Sequence, residues 1–315
     1  SASVAGSSAL LKTGSLVSDA TYTVTVSGVS DLYGNVIAAG STKSFVVSVV
    51  TYTDIILSDE PIAFYRFEET SGMVAENFGT LGSQADGLWM SGLGPDDSFE
   101  VEVSSETGPN PADGLLGFGD DNLAASFNGD FDLFWIETQG QWLSNLGSFT
   151  LEYWVKPTNR EDGAWSRVGI VGQNDAVEYG FINGTTIQIW TPGGGALNTT
   201  YDFSDDEWHH IATIADGTQI HNYFDGELIN SAGSATADYG SADFTVHIGG
   251  GGVYDGTGNH FEGGLDEVAI FDRAIPAARV KQHYTAGREG GSKAAPEVDP
   301  TVSIATEAGG NITIE

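Results

Sequence analysis

Short runs of alternating apolar and polar residues recur along most of the chain, separated by turn-forming residues. A period of two places successive side chains on opposite faces of a strand, so each run predicts a β-strand. The clearest is Phe-Thr-Leu-Glu-Tyr-Trp-Val at 149–155, where the odd-numbered residues share one face and the even-numbered residues the other. The 43 glycines fit many turns. The pattern predicts an all-β protein, a sandwich or jelly roll.

Local signals refine this picture at two places. Asp225-Gly226, within the run 223–229, predicts a type I′ hairpin, because both residues tolerate positive φ. Helical spacing is nearly absent; the one amphipathic candidate is 275–284, where Pro276 suits a first helical position. We expect a helix of one or two turns that closes the central domain.

Charge and cysteine content exclude several classes of partner and chemistry. Lys and Arg number 11 against 44 Asp and Glu, a formal net charge of −33. Such a chain is repelled by nucleic-acid phosphates and by anionic lipid surfaces. No run of 18 apolar residues and no signal-peptide pattern occurs, so we expect a mature or excised segment that does not insert into a membrane. The absence of cysteine excludes disulfides, thiolate metal sites and cysteine nucleophiles.

Both ends of the chain have the pattern of incomplete β domains. Strand-like runs occur at 21–26 and 44–50, with turn residues at 31–35 between them, and two or three strands cannot cover both faces of a core. The predicted division is 1–50, closing strands of one β domain; 51–287, a complete jelly roll; 288–300, a Gly/Pro-rich linker; and 301–315, opening strands of a further β domain.

Incomplete sheets gain hydrogen bonds by adding strands from elsewhere. The terminal segments could pair with the central domain, with each other, or with the tails of neighbouring copies of the chain. Head-to-tail exchange between copies would produce an open filament.

Six motifs follow one another in the central region. They are Ala63-Phe-Tyr-Arg-Phe-Glu-Glu-Thr-Ser-Gly72, Ala125-Ser-Phe-Asn-Gly-Asp130, Ser148-Phe-Thr-Leu-Glu-Tyr-Trp-Val-Lys-Pro157, Glu207-Trp-His-His-Ile-Ala212, Tyr223-Phe-Asp-Gly-Glu-Leu228 and Phe261-Glu-Gly-Gly-Leu-Asp-Glu-Val-Ala-Ile-Phe271. Together they resemble the laminin-G-like, concanavalin A-like jelly-roll family of bacterial secreted proteins. The first 50 residues resemble the closing strands of bacterial Ig-like repeats. The resemblance implies two antiparallel sheets, binding of glycans or proteins without catalysis, and an extracellular or cell-surface location.

The resemblance also implies a structural calcium ion. In concanavalin A-like sandwiches a calcium often links an early loop to the last strand. The corresponding residues here are Glu76, Asn77, Asp266 and Glu267, and a second candidate pair is Asp130 and Asp132. Relatives often carry Asp in the early loop, which this chain replaces by Glu76 and Asn77. For both locations the alternative is a solvated acidic loop.

Aromatic residues are the candidates for sugar binding, because sugar rings stack on indole faces. The candidates are Trp89, Trp135, Trp165 and Trp190, together with the irregular segment 91–122, which is either a partner surface or a lid packed on the sandwich. His209 and His210 are neighbours on a strand and therefore face opposite ways, so they cannot bind one ion together.

Catalytic signatures are absent from the sequence. The Glu-x-Asp-x-x-Glu motif of jelly-roll glycoside hydrolases does not occur, nor does a Gly-x-Ser-x-Gly nucleophile elbow or a phosphate loop before a helix. An enzyme would instead require convergent carboxyl groups with raised pKa in a cleft. We expect no enzymatic activity.

Two functions remain. The first is a non-catalytic extracellular structural or adhesive protein, a unit of a surface protein or filament whose terminal β segments pair with neighbouring units. The alternative is a lectin-like carbohydrate-binding module of a secreted protein, with polysaccharide as the partner.

Overall fold

The protein is described by a computed structural model, and the fold divides into two units. The residues that the structure describes are 2–5, 8–11, 21–26, 36, 40–46, 51–92, 99–129, 134–161, 165–250, 253–254 and 259–290. The first unit comprises Ser1–Val50 with Gly291–Glu315, and the second is Thr51–Gly290. Among the described residues no helix has both the length and the apolar character needed to cross a membrane.

The described part of the first unit consists of two antiparallel strand pairs. One joins β1 (Ala2–Ala5) to β2 (Ser8–Leu11), and the other joins β3 (Thr21–Val26) to β4 (Ser41–Val46). Strands were predicted at 21–26 and 44–50, and the second begins three residues earlier than expected. The predicted linker from 291 onward and the predicted strands at 301–315 lie outside the described residues.

The second unit begins and ends with a helix and is otherwise almost entirely β. Helix α1 spans Tyr52–Ser58, helix α2 spans Ala277–Glu289, and two short 3-10 helices span Gly82–Ala85 and Pro111–Asp113. The strands are β5 (Ala63–Tyr65), β6 (Val74–Ala75), β7 (Gly87–Ser91), β8 (Phe99–Glu100), β9 (Ser105–Thr107), β10 (Leu123–Asn128), β11 (Trp135–Thr138), β12 (Phe149–Pro157), β13 (Val168–Gln173), β14 (Val177–Asn183), β15 (Thr186–Thr191), β16 (Gly195–Thr200), β17 (His209–Ala215), β18 (Ile220–Phe224), β19 (Glu227–Ala232), β20 (His247–Ile248) and β21 (Glu262–Phe271).

These strands form two antiparallel sheets. The eight-stranded sheet has the order β19-β18-β17-β12-β21-β10-β9, with β5 also paired to β21. The nine-stranded sheet has the order β16-β15-β14-β13-β20-β11-β7-β6, with β8 paired to β7. Neighbours far apart in sequence, such as β12 and β21, are the mark of a jelly-roll sandwich. The predicted fold class is confirmed.

The core lies between the two sheets, and β12 shows how the sequence pattern creates it. Phe149, Leu151, Tyr153 and Val155 all point into the core, as their alternation predicts. The predicted hairpin is also present, since Asp225 and Gly226 have φ values of 49° and 74° between β18 and β19. Both positions therefore have the positive φ that a type I′ turn requires.

The opposite face of β12 is buried as well. Thr150, Glu152 and Trp154 are all fully buried, because helices α1 and α2 cover the outer face of the eight-stranded sheet. Tyr52 of α1 packs edge-on against Trp154, with ring centroids 6.1 Å apart. His283 of α2 contacts Glu152. This sheet therefore has two buried faces, which alternation on one strand does not reveal.

Helix α1 was not predicted, although the sequence contains its start signal. Thr51 caps the helix by accepting a hydrogen bond from Asp54 N (3.1 Å), and the Asp54 carboxylate accepts one in return from Thr51 N (2.8 Å). This reciprocal capping box precedes an apolar run that includes the buried Ile55 and Ile56. The helix has only seven residues, too few for a periodicity to stand out.

Helix α2 is longer than the predicted segment 275–284. It continues to Glu289 and ends where Gly290 adopts a φ of 76°. Its last-turn carbonyls are satisfied by another segment, because Gly117 N donates to Gly287 O (2.9 Å) and Leu116 N to Arg288 O (3.3 Å). Position 288, where the linker was expected to begin, is therefore helical.

Candidate functional site

A chain of ionic contacts fastens helix α2 to the eight-stranded sheet. His283 Nδ1 lies 2.8 Å from Glu152 Oε1, and its Nε2 lies 2.8 Å from Asp59 Oδ2. Arg279 Nε donates to the same Asp59 oxygen at 2.7 Å. The side chains of His283 and Glu152 are completely buried. The sheet, helix α2 and the residue that follows α1 thus meet at one imidazole, and we call Glu152, His283, Asp59 and Arg279 the ionic clip.

The protonation states of the ionic clip follow from its geometry. Burial opposes a charge on His283, but the carboxylates of Glu152 and Asp59 outweigh it and raise the pKa of His283 to about 9. Burial likewise opposes a charge on Glu152, but His283 and His210 lower its pKa to about 2. At neutral pH the ionic clip therefore contains a buried imidazolium between carboxylates.

These shifts predict a stability optimum at mildly acidic pH. The contribution of His283 is complete below its ordinary pKa of 6.5 and is lost as the pH rises through about 9. The contribution of Glu152 is complete above its ordinary pKa of 4.5 and is lost as the pH falls through about 2. The loss should reach about 3 kcal/mol for His283 by pH 9.5 and about 2 kcal/mol for Glu152 by pH 3. Urea unfolding measured from pH 3 to 9.5 should show stability declining on both sides; a constant free energy of unfolding from pH 6.5 to 9.5 contradicts this interpretation.

A cleft of about 410 Å³ opens beside helix α2. The described residues that line it are Asp113, Leu115, Trp154, Asp206, Glu207, Trp208, His209, Asp225, Tyr284 and Arg288. They come from five places in the fold: the segment after β9, strand β12, the start of β17 with its preceding loop, the β18–β19 turn and helix α2. A volume of this size is typical of small-ligand sites.

One wall of the cleft is formed where β17 begins. His209 stacks on Phe203 with ring centroids 3.7 Å apart, which holds the imidazole in place. Its Nδ1 lies 2.8 Å from Asp225 Oδ2, while Glu207 Oε2 lies 3.7 Å from its Nε2, beyond hydrogen-bond distance. Nε2 is buried and has no hydrogen-bond partner among the described residues. This wall of the cleft therefore contains an imidazole that is held in a fixed orientation.

Aromatic rings form the opposite side of the cleft. Tyr284 of α2 is partly exposed and stacks on Trp154, at 6.1 Å between centroids and 23° between planes. Trp154 is fully buried, and its side chain hydrogen-bonds Tyr52 of α1. Trp208 is also largely buried, with Lys156 Nζ 5.1 Å from its ring centroid. The accessible ring in the cleft is Tyr284.

This arrangement suits a ligand with hydroxyl groups. Asp206 and Glu207 are exposed acceptors, and Tyr284 offers a partly exposed ring. A sugar hydroxyl group donates to such acceptors, while its C–H face packs on such a ring. None of the described lining residues is Ser, Thr, Cys or Lys, and Tyr284 supplies their one hydroxyl group.

The four tryptophans predicted to bind sugar have different environments. Trp89, Trp135 and Trp165 are buried, with 0%, 4% and 5% of their surface exposed. A sugar cannot reach a covered indole face, so these three lack the exposure that the prediction requires. Trp190 is partly exposed, and it lies on the outer face of β15 because its neighbour Ile189 points into the core.

The predicted calcium ligands of the early loop have unequal roles. Glu76 is exposed. Asn77 is 6% exposed, and its Oδ1 accepts from Phe64 N (2.7 Å) and Gly79 N (2.9 Å). Its Nδ2 donates to Gly82 O at 2.9 Å. The amide is thus committed to holding the loop and does not fit a metal ligand.

The predicted ligands on the last strand are fully buried. Asp266 accepts hydrogen bonds from Asn122 Nδ2 and from the Glu267 backbone, each at 2.8 Å, while Glu267 Oε1 accepts from Arg66 Nε at 3.2 Å. Burial raises the pKa of both carboxyl groups, and their mutual repulsion adds to this for Asp266. Neither residue lines the cleft. These two carboxyl groups with a raised pKa are therefore not in the position that the cleft of an enzyme would require.

No described group of three or more His, Asp or Glu side chains has the arrangement of a metal site. The second candidate pair, Asp130 and Asp132, falls outside the described residues. A calcium ion therefore stays a prediction, and the described residues of its first location do not favour it.

The cleft residues were missed in the sequence. Asp205-Asp206-Glu207-Trp208 places exposed carboxylates and an indole just before a strand, which is a readable but weak signal. Tyr284 appeared only as one residue of an amphipathic helix face. Nothing in the sequence brings the turn at Asp225 next to that helix, because this contact is tertiary.

The comparisons with known proteins agree with this fold. Residues 135–281 match the Laminin_G_3 family, described as the concanavalin A-like lectin/glucanases superfamily. The match confirms the laminin-G-like, concanavalin A-like resemblance for residues 135–281, which contain four of the six motifs. The Ig-like resemblance of the first 50 residues is not tested by this match. A search of the curated proteins finds no match.

Two solved structures are similar to this chain. The structure is similar to domain 4 of AbnA, a GH43 extracellular arabinanase from Geobacillus stearothermophilus, in complex with arabinotriose; the TM-score is 0.50 and the identity 17%, covering 71% of this chain and 98% of that chain. It is also similar to the botulinum neurotoxin serotype D binding domain, with a TM-score of 0.45 and 13% identity, covering 74% of this chain and 52% of that chain. At these identities the similarity concerns the fold alone.

Proposed function

We propose that the unit Thr51–Gly290 is a non-catalytic carbohydrate-binding module and that the cleft beside helix α2 is its binding site. The observation that carries this proposal is the combination of a partly exposed ring, Tyr284, with the exposed carboxylates of Asp206 and Glu207 in one concavity of about 410 Å³. Sugars present apolar C–H faces and hydroxyl edges, so they use both features at once.

The proposal includes an absence of catalysis and a location outside the cell or at its surface. The described lining residues include no Ser, Thr, Cys or Lys, and the fully buried Asp266 and Glu267, whose pKa values are raised, do not line the cleft. Polysaccharide is met outside the cell, which fits the proposed location.

Substituting Tyr284 should identify the binding site. We expect Tyr284→Ala to weaken binding of any oligosaccharide found on a glycan array by about tenfold, because the stacking surface is lost. Isothermal titration calorimetry with the full chain, with and without Ca²⁺, measures the effect. The matched control is Trp190→Ala, which removes a partly exposed aromatic ring from the other sheet.

Two results would contradict the assignment of the site. Full affinity in Tyr284→Ala together with lost affinity in Trp190→Ala would move the site to the outer face of the nine-stranded sheet. An array without any binding glycan, in either condition, would remove the carbohydrate-binding proposal.

A second candidate function rests on the N-terminal strand pairs. We propose that they also add strands from neighbouring copies, because β1–β2 and β3–β4 are each two-stranded in the described structure, and isolated two-stranded sheets are only marginally stable. Size-exclusion chromatography with light scattering should then show oligomers that a chain starting at Thr51 does not form. A full chain that is monomeric at every concentration would contradict self-association.

A further inference from the structure

The turn between β14 and β15 contains an asparagine followed by a glycine, at Asn183-Gly184. A backbone nitrogen can attack the side-chain carbonyl carbon of the asparagine that precedes it, and a glycine leaves the approach open because it has no Cβ. The sequence has the same pair once more, at Asn128-Gly129. The surroundings of these two pairs therefore determine which asparagine can react.

The side-chain carbonyl group of Asn183 is held by Thr185. Asn183 is exposed, and its Oδ1 accepts hydrogen bonds from Thr185 N and from Thr185 Oγ1, each at 3.0 Å. When a nucleophile attacks Cγ, negative charge develops on Oδ1, and donors that are already in place stabilise this charge as in an oxyanion hole. The turn thus activates the carbon atom that would be attacked.

The attacking and the departing nitrogen atoms are both available. No described residue accepts a hydrogen bond from Gly184 N or from Asn183 Nδ2. The glycine is also needed for packing, because a Cβ at this position would overlap the carbonyl oxygen of Arg160. The Arg160 side chain in turn donates from Nη1 to Gly184 O at 2.9 Å. The fold therefore requires the residue that makes Asn183 reactive.

The second pair lies in a different environment. Asn128 is the last residue of β10 and pairs with Glu262 of β21. Gly129 N donates to Phe261 O at 2.9 Å, so this nitrogen must break a hydrogen bond before it can attack. We therefore expect Asn128 to react more slowly than Asn183.

We propose that Asn183 is a site of spontaneous deamidation in the folded protein. Gly184 N attacks Asn183 Cγ, and its proton passes through water to Nδ2. The new N–Cγ bond forms, the Cγ–Nδ2 bond breaks, and Nδ2 leaves as ammonia. Water then opens the resulting succinimide ring by breaking one of its two bonds to Gly184 N, which yields aspartate or isoaspartate. Nothing is oxidised or reduced, and the chain gains one negative charge.

This modification is independent of the proposed carbohydrate-binding function. An aspartate at 183 keeps two oxygen acceptors for the hydrogen bonds from Thr185. An isoaspartate instead adds one carbon atom to the main chain of the turn. The two products should therefore differ in their effect on the β14–β15 hairpin.

The test incubates the folded full chain at pH 8 and 37 °C in water enriched in oxygen-18, which labels the product when the succinimide opens. Peptide mass spectrometry then follows both asparagines in the same sample. We expect Asn183 to deamidate about tenfold faster than Asn128. Equal rates at the two positions, or a faster reaction at Asn128, would overturn the proposal.

Two variants of Thr185 test the activation of the carbonyl group. Thr185→Val removes the hydroxyl donor and should slow the reaction of Asn183 about tenfold, whereas Thr185→Ser keeps both donors and should leave the rate within about twofold. Urea unfolding checks that both variants fold like the parent chain. An unchanged rate in Thr185→Val contradicts the activation.

A measurement in a denaturing concentration of urea separates the folded structure from the local sequence. Unfolding removes the fixed donors, so the parent chain and Thr185→Val should then deamidate at equal rates. If Asn183 reacts only in urea and stays intact in the folded chain, deamidation depends on unfolding and the proposal is wrong.

Discussion

Replacing His283 with alanine should lower the free energy of unfolding by about 3–5 kcal/mol at neutral pH. The substitution leaves Glu152 fully buried without its main cationic partner and removes the contact to Asp59. Desolvated charges without a partner are among the costliest defects in a folded protein. Urea unfolding followed by tryptophan fluorescence measures the loss, and the melting temperature should fall by roughly 6–20 °C.

The controls for His283 test whether the loss comes from the ionic clip. His221 also contacts an acid, Asp216, at 3.2 Å, but this pair lies at the surface. His221→Ala should therefore lower the free energy of unfolding by less than about 1 kcal/mol. Adding Glu152→Gln to His283→Ala should recover part of the stability, because it removes the orphaned charge. Additive losses in that double variant, or a loss below 1 kcal/mol for His283→Ala, would contradict the ionic clip.

Replacing Asn77 with alanine should lower the free energy of unfolding by about 2–4 kcal/mol. This is the second large effect expected for this fold. The change removes the acceptor for Phe64 N and Gly79 N and the donor to Gly82 O, leaving three backbone groups without their partners in a site that is 6% exposed. Equilibrium unfolding again provides the measurement. Asn198→Ala, at an exposed amide, is the matched control and should change stability by less than about 0.5 kcal/mol.

Asn77→Asp distinguishes the structural role from the predicted calcium ligand. In the structural role the carboxylate cannot donate to Gly82 O, and the variant should lose about 1–3 kcal/mol whether or not Ca²⁺ is present. In a calcium site the added charge would strengthen binding, and millimolar Ca²⁺ would restore or increase stability. Stabilisation of Asn77→Asp by Ca²⁺ but not by Mg²⁺ would support the predicted calcium site in this loop and contradict the purely structural role.

Much of the sandwich could be predicted from local patterns. The alternation at 149–155 assigned the core-facing side of β12, and Asp225-Gly226 located a hairpin with two positive φ values. The six ordered motifs indicated the concanavalin A-like fold. These features depend on neighbouring residues, so they are visible in a linear sequence.

The candidate site was less accessible to such reasoning. Aromatic content suggested sugar-binding tryptophans, yet Trp89, Trp135 and Trp165 are buried, because exposure depends on which distant segments pack over a ring. Glu152 illustrates the same limit. Its alternation places it on the face of β12 opposite the core residues, and only the structure shows that helices α1 and α2 enclose it with His283.

The sequence by itself determined the strands, one core-facing side and the sandwich fold, because side-chain alternation and turn chemistry act over a few residues. Only the tertiary structure decided that the other face of the eight-stranded sheet is covered and that a cleft opens at its edge. That cleft joins Asp206, Asp225 and Tyr284 from a loop, a turn and a helix. Such a site depends on contacts between elements far apart in the chain, and no local preference specifies those contacts.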